Sequence, residues 1–402
     1  MTWNSAISCR RSTLLLFLCY SAASVRTIAQ YCKEGECGAF YCEGLCELRL
    51  ELVQVLMRHG ERTPRLKETL IYPTDPYNVS TYEPWGLGQL TNQGKLTEYR
   101  IGIMLRNRYN NFLGSIYYPR DIYAVSTETD RTKMSLQLML AGLYPPDTSQ
   151  VWNPDLPWLA IPINYVPEKV DILLKPQNCP TYESALAETK KLKEVRDRFA
   201  VYEDFYKFLS EKTGVVQNDL LDLYNLLTAQ KNMNLTLPEW CTDQVYRSMQ
   251  VVIMMEYEIR SYTTQLKRLN GGMLIKKFID NINKRPNSRK MYVYSAHETN
   301  IAAFARAQNI SEPKLPNYGS AFLFEKLRDD FGQIYIKILL WTGTTGKLVT
   351  IKLPGCDEVC PLETYLELVR NVIPSDKEMT CLWDIITREE LLELFAEKLN
   401  LD

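Results

Sequence analysis

Apolar residues recur along this 402-residue chain in two rhythms. Short β-rich runs alternate with longer stretches whose apolar positions return every three or four residues, the spacing of an amphipathic helix. Three runs share one design. Leu50 to Met57 ends in Arg58-His59-Gly60. Ile122 to Ser126 leads into Thr127-Glu128-Thr129-Asp130-Arg131 and helical spacing to about Leu143. Met291 to Ser295 leads into Ala296-His297-Glu298-Thr299-Asn300 and helical spacing to about Ala307. Repeated strand–loop–helix units assemble into a parallel sheet covered by helices. The expected class is therefore α/β, a mainly parallel sheet flanked by helices. Ligands of such sheets bind beyond the carboxyl ends of the strands, so the polar residues after each run should converge at one edge.

Thr91 can cap a further helix reaching about Tyr109. The stretch from Tyr182 to about Leu269 reads as helical, with Asn270-Gly271-Gly272 as its stop. Residues 166–274 are thus expected to form a helical insertion domain over the strand edge, and 48–165 with 275–402 the α/β catalytic domain. Ser320 to Leu327 and Gln333 to Trp341, joined by Asp329-Asp330-Phe331-Gly332, read as a hairpin.

The N-terminus changes the picture. Arg10 and Arg11 precede a short apolar run, Thr13 to Ala23, and then small residues. That order predicts a secretory signal peptide over residues 1–29, with cleavage after Ala23, Ser24 or Ala29. The run is shorter than the ~20 residues a membrane span needs. Leu391 to Asp402 reads as a charged amphipathic helix, so the mature chain is expected to be soluble without stable membrane insertion. Of eleven cysteines, Cys9 and Cys19 leave with the signal. Cys32, Cys37, Cys42 and Cys46 crowd into an extension over residues 30–47 with no histidine nearby, so disulfides are favoured over zinc. The remaining number is odd, leaving one thiol free or paired with another chain. Sequons at Asn78, Asn234 and Asn309 fit a secreted glycoprotein. Lys plus Arg total 47 against 48 Asp plus Glu, a net charge of −1. No basic surplus points to nucleic acid, and any anion site must be built from a few aimed cations.

Only two histidines exist, His59 and His297, and both follow an expected strand. A lone histidine is more often structural than catalytic; two at one sheet edge point to a shared site. Around the first stands Arg58-His59-Gly60-Glu61-Arg62-Thr63-Pro64. Gly60 allows a sharp turn, Pro64 stiffens the exit, and Arg58 and Arg62 offer planar forks suited to phosphate oxygens. The blander reading is a pair of solvated surface arginines.

This segment resembles the RHGxRxP signature of the histidine acid phosphatase branch of the phosphoglycerate-mutase-like superfamily. Five fixed residues arise by chance on the order of once in ten thousand such chains. Gly88-Gln89-Leu90-Thr91 with Gly94, Ser126-Thr127 with Arg131, Ala141 to Pro146, Ser295-Ala296-His297-Glu298, and Leu353 to Cys356 with Cys360-Pro361-Leu362 resemble further family segments in the family's order. The resemblance runs from about Leu50 to Cys381 and is strongest to animal lysosomal, secreted and venom-type acid phosphatases. It implies that His59 attacks phosphorus and carries a phosphohistidine. Arg58, Arg62, Arg131 and His297 would clamp the phosphate oxygens, with no metal and no cofactor. Three arginines disfavour protonation of His59 and so keep it nucleophilic in mild acid. Its other ring nitrogen needs a fixing partner such as a backbone carbonyl. The resemblance also implies disulfides Cys179–Cys381 and Cys356–Cys360, leaves Cys241 as the unpaired thiol, and suggests a homodimer. Substrates would be small phosphate monoesters, and the destination secretion, with the lysosome as the alternative.

One residue departs from the pattern. The family has Asp after its second histidine, where this chain has Glu298. That carboxyl should protonate the leaving alcohol. Glutamate places it ~1.5 Å further out, and a misplacement of ~1 Å can cost about a hundredfold in rate. Full activity, slow activity, and a secreted phosphatase-fold binding protein are the three outcomes. The bland reading of Glu298 is a carboxylate serving a helix N-terminus. A phytase-like inositol-polyphosphate phosphatase is a further alternative, requiring extra basic residues around the pocket.

Overall fold

Strand β1 (Arg49–Arg58) shows how the sheet is built, because its alternate side chains enter two different cores. The computed structural model describes residues 48–215, 219–284 and 289–381. The signal segment, the Cys-rich extension and the expected C-terminal helix lie outside the described residues. On one face of β1, Leu52 and Leu56 pack with Tyr292, Tyr294, Phe322 and Phe324. On the other, Val53, Val55 and Met57 pack with Met291, Val293, Ala321 and Leu323. A strand buried on both faces reads as a near-continuous apolar run, which Leu50 to Met57 is.

The other strands are β2 (Ile122–Ser126), β3 (Asn164–Tyr165), β4 (Met291–Ala296), β5 (Ser320–Arg328), β6 (Ile334–Thr342), β7 (Leu348–Ile351) and β8 (Val359–Pro361). Their order is β3-β2-β4-β1-β5-β6-β7, with β8 beside β6. The first four are mutually parallel, and β5 to β7 add an antiparallel half that contains the expected hairpin. Strand β4, late in sequence, lies between β2 and β1.

Helices cover both faces. After α1 (Leu66–Leu70), helices α2 (Asn92–Leu113) and α3 (Asp130–Leu143) close the Val53 face. Thr91 caps α2 by accepting from Gly94 N; the backbone kinks at the expected end, Tyr109 (φ −112°, ψ 17°), and a further turn carries the helix to Leu113. A helical layer follows: α4 (Pro180–Lys191), α5 (Lys193–Ala200), α6 (Glu203–Thr213), α7 (Leu220–Asn232), α8 (Asp243–Ile259) and α9 (Thr264–Lys267). Its core contains Leu223, Leu227, Met249, Ile253 and Leu269. Next come α10 (Met273–Ile282), α11 (Glu298–Ala307) and α12 (Leu362–Val369), which cover the Leu52 face.

One expectation is corrected here. Asn270-Gly271-Gly272 is not a stop: a π-helical turn, Arg268–Gly272, carries the helix straight into α10. A Cβ on Gly271 would sit 2.1 Å from Ala303 O, and one on Gly272 would sit 2.0 Å from Val372 O. These glycines serve close helix packing, and that tertiary demand outweighs their poor helix propensity. Met273 still packs in the helical layer while Leu274 and Phe278 pack under the sheet. The two cores therefore part within one continuous helix.

Cys179–Cys381 and Cys356–Cys360 are disulfide-bonded, as the resemblance implied, and Cys241 is free and buried. Among the described residues no helix is long and apolar enough to cross a membrane.

Candidate active site

Register explains why the two histidines meet. Arg58 of β1 pairs with Ala296 of β4, and Met57 with Ser295. One residue further along the same register sets His59 beside His297. Their ring centroids lie 5.4 Å apart. On the far side of β4, Ser126 pairs with Ser295, which brings the loop after β2 to the same edge. From that loop Thr127 Oγ1 meets His297 Nε2 at 3.1 Å. The convergence expected from the strand–loop–helix pattern is realised.

The partners of His59 define its tautomer. Nδ1 lies 2.8 Å from Gly60 O, an atom that can only accept. Arg131 Nε donates to Nε2 at 3.1 Å. The proton therefore sits on Nδ1 and the lone pair on Nε2. Burial, and then the charges of Arg131, Arg58, His297 and Arg62, hold the His59 pKa well below its ordinary 6.5. His297 is lowered in the same direction by burial, Arg131 and Lys175. Both rings therefore stay neutral in mild acid. Gly60 does not occupy the left-handed region that a sharp glycine turn would use. Its small size matters instead: a Cβ there would lie 2.5 Å from Gly94 O, and one on Gly94 would lie 2.0 Å from Glu61 O. The two glycines let the His59 loop press against the first turn of α2.

The three arginines are held differently. Arg58 donates to Pro316 O at 2.6 Å, stacks 4.0 Å over the Tyr318 ring and meets Glu298 Oε2 through Nε at 3.2 Å. Arg62 does not offer a free fork. Nη1 and Nη2 each donate to a Glu68 oxygen at 2.7 Å, a bidentate pair shielded from solvent. Burial alone would lower the Arg62 pKa, but Glu68 more than offsets it and raises it. Glu68 also accepts from Arg65 Nε at 2.7 Å, and Arg65 reaches Asp222 at 2.6 Å. Arg131 has no carboxylate partner among the described residues. Burial, followed by Arg62 and Arg65, pulls its pKa down to about 10, so it stays cationic in acid.

Glu298 is the first residue of α11, with its side chain 14 % exposed. Burial pushes its carboxyl up, yet Arg58, His297 and Arg62 together hold it well below the usual range. With no anion bound it is a carboxylate. One atom each from His59, His297 and Glu298 lie within 4.8 Å of one another, a spacing that could hold a metal ion. The guanidinium groups already aimed at His59 and Glu298 make the locale suited to an anion rather than a cation.

These groups line a cavity of about 280 Å³. Arg62, Arg131, His59, His297 and Glu298 reach it as expected, whereas Arg58 borders a neighbouring cavity behind Tyr318. Sequence reasoning missed Glu68, Arg65, Lys175, Asn225 and Arg260. Glu68 had a faint local signal as the third residue of α1, where it accepts from Arg65 N. Lys175, Asn225 and Arg260 come from distant segments and carried none.

Comparison with known proteins follows the same lines. Residues 49–340 match the family described as the histidine phosphatase superfamily (branch 2). The chain is 36% identical over 345 residues to venom acid phosphatase Acph-1 of Apis mellifera, covering 83% of this chain and 88% of the relative. It is 33% identical to the prostatic acid phosphatase of Homo sapiens, covering 83% and 88%, and 33% identical to the lysosomal acid phosphatase of Rattus norvegicus, covering 83% and 80%. Among solved structures it resembles a phytase of Klebsiella sp. ASR1, with TM-score 0.62 and 17% identity over 83% of this chain and 99% of that one. A Hafnia alvei phytase complex gives TM-score 0.62 and 18% identity over 81% and 98%. At such identities the likeness is one of fold alone.

Proposed function

Because the chain belongs to branch 2 of the histidine phosphatase superfamily and is a phosphoric monoester hydrolase of the acid phosphatase kind, we propose that it works through a phosphohistidine on His59. The observation that carries this reading is the Nε2 lone pair of His59, held by Arg131 in a cationic cavity. The phosphate enters with its oxygens toward Arg131, Arg62 and His297. Nε2 attacks phosphorus in line, the P–O bond to the alcohol breaks, and the leaving oxygen takes a proton from Glu298. Water then attacks phosphorus and gives a proton to the Glu298 carboxylate, the N–P bond breaks with its electron pair returning to Nε2, and phosphate leaves. Glu298 must first gain that proton. A bound anion opposes the charges that keep it ionised, and the monoanionic ester of mild acid brings a proton with it. Both effects favour turnover at acid pH.

One observation favours a second reading, a phosphate-binding protein with weak turnover: the Glu298 carboxylate is paired with Arg58 and held ionised. The test is hydrolysis of p-nitrophenyl phosphate from pH 3 to 8, wild type beside His59→Ala. An acid optimum lost in the variant supports the enzyme. Phosphate binding with no turnover above the variant supports the binder.

We further propose secretion, with the lysosome as the alternative destination. The reading draws support from the disulfides and from the exposure of all three sequon asparagines, Asn78, Asn234 and Asn309.

A further inference from the structure

The cavity holds more than phosphate chemistry uses, and the surplus comes from the helical layer. Asn225 of α7 lines it and is 4% exposed, and its side-chain amide makes no hydrogen bond among the described residues. Arg260, the residue after α8, lines the same cavity. Its Nε is buried and unpartnered, and no ion pair involves it among the described residues. The other cations brought by missed segments are already neutralised: Arg65 by Glu68 and Asp222, and Lys175 by Glu168 at 3.0 Å. A cation near a helix C-terminus can serve the dipole alone. Here, however, the Arg260 carbonyl already accepts from Tyr182 and Asn270, and the guanidinium lines the cavity instead.

We propose that Arg260 and Asn225 form a leaving-group subsite selecting phosphate monoesters whose alcohol part carries a second anionic group. The inference rests on the phosphatase reading. Arg131, Arg62 and His297 attend to the transferred phosphate, while the helical layer supplies one uncompensated positive charge and one amide N–H₂ for the group left behind. A charge-assisted contact of this kind is worth about tenfold or more in affinity.

The test uses two esters differing by one carboxylate, O-phosphoserine and phosphoethanolamine, and reads the ratio of their kcat/KM values. Arg260→Met should lower the ratio about tenfold, while Arg260→Lys should keep most of it. Asn225→Asp, nearly isosteric, should also lower it by turning an attractive amide into a repelling carboxylate. A ratio that Arg260→Met leaves unmoved overturns the subsite, because an arginine serving the transferred phosphate would weaken both esters alike. A wild type that hydrolyses neither ester nor p-nitrophenyl phosphate would instead overturn the phosphatase reading, and the subsite with it.

Discussion

Arg131 donates to the very nitrogen of His59 that carries the lone pair, Nε to Nε2 at 3.1 Å. An incoming phosphate must part this pair. It then finds the nucleophile on one side and the guanidinium on the other. In-line placement with charge stabilisation is most of what phosphoryl transfer requires. His59→Ala should therefore abolish hydrolysis of p-nitrophenyl phosphate, and Arg131→Met should lower kcat/KM by at least about a hundredfold. A rapid alkaline quench of wild type should trap phosphate on His59. Trapping on any other residue would defeat the assignment.

Glu298 should matter in proportion to how much help the leaving group needs. General-acid assistance contributes typically about 10²–10⁴-fold. Glu298→Gln should cost about a hundredfold with an alkyl phosphate and far less with p-nitrophenyl phosphate, whose leaving group needs no proton. Equal losses on both substrates would show that Glu298 acts on the phosphate rather than on the departing oxygen.

Glu68 is expected to be a stability residue that also aims Arg62. It lies at 0% exposure between two arginines. Removing one partner of a buried pair costs about 3–5 kcal/mol, because the other charge is left uncompensated. Glu68→Ala should lower the urea midpoint accordingly, and an unchanged midpoint would refute the pairing.

The histidines set a pH dependence of stability. Their folded pKa values lie below the ordinary 6.5. As pH falls below 6.5 the unfolded chain takes up protons that the folded chain refuses, so stability falls with a slope of up to about 1.4 kcal/mol per pH unit for each ring. His59→Gln combined with His297→Gln should flatten the urea midpoint between pH 6.5 and 4.5. A slope equal to wild type would mean that the rings are protonated in the fold.

Glu98 should act with the opposite sign. It sits on α2 at 0% exposure, and neither carboxylate oxygen has a hydrogen-bond partner among the described residues. Burial pushes its pKa well above 4.5. Stability from this group is present below 4.5 and lost as pH rises through the folded value. Glu98→Gln should thus be more stable than wild type at pH 7, with the advantage gone by about pH 4.5. A variant less stable at pH 7 would mean that the carboxylate has a partner.

The amino-acid sequence alone determined the catalytic edge. Three β-rich apolar runs, each followed by polar residues and helical spacing, were enough to bring His59, His297 and Arg131 together, because strand formation and strand direction follow from local pattern. Other features were decided by tertiary structure. Gly271 and Gly272 read as a helix stop, since propensity counts only backbone freedom; packing against Ala303 and Val372 made them part of a helix instead. Arg62 read as a free fork, yet its charge is matched by Glu68 from the next helix. Asn225 and Arg260 look like ordinary polar residues of two amphipathic helices. Only the docking of the helical layer over the sheet edge turns them toward the cavity. Charges and amides gain meaning from what is buried beside them, and burial depends on contacts hundreds of residues apart.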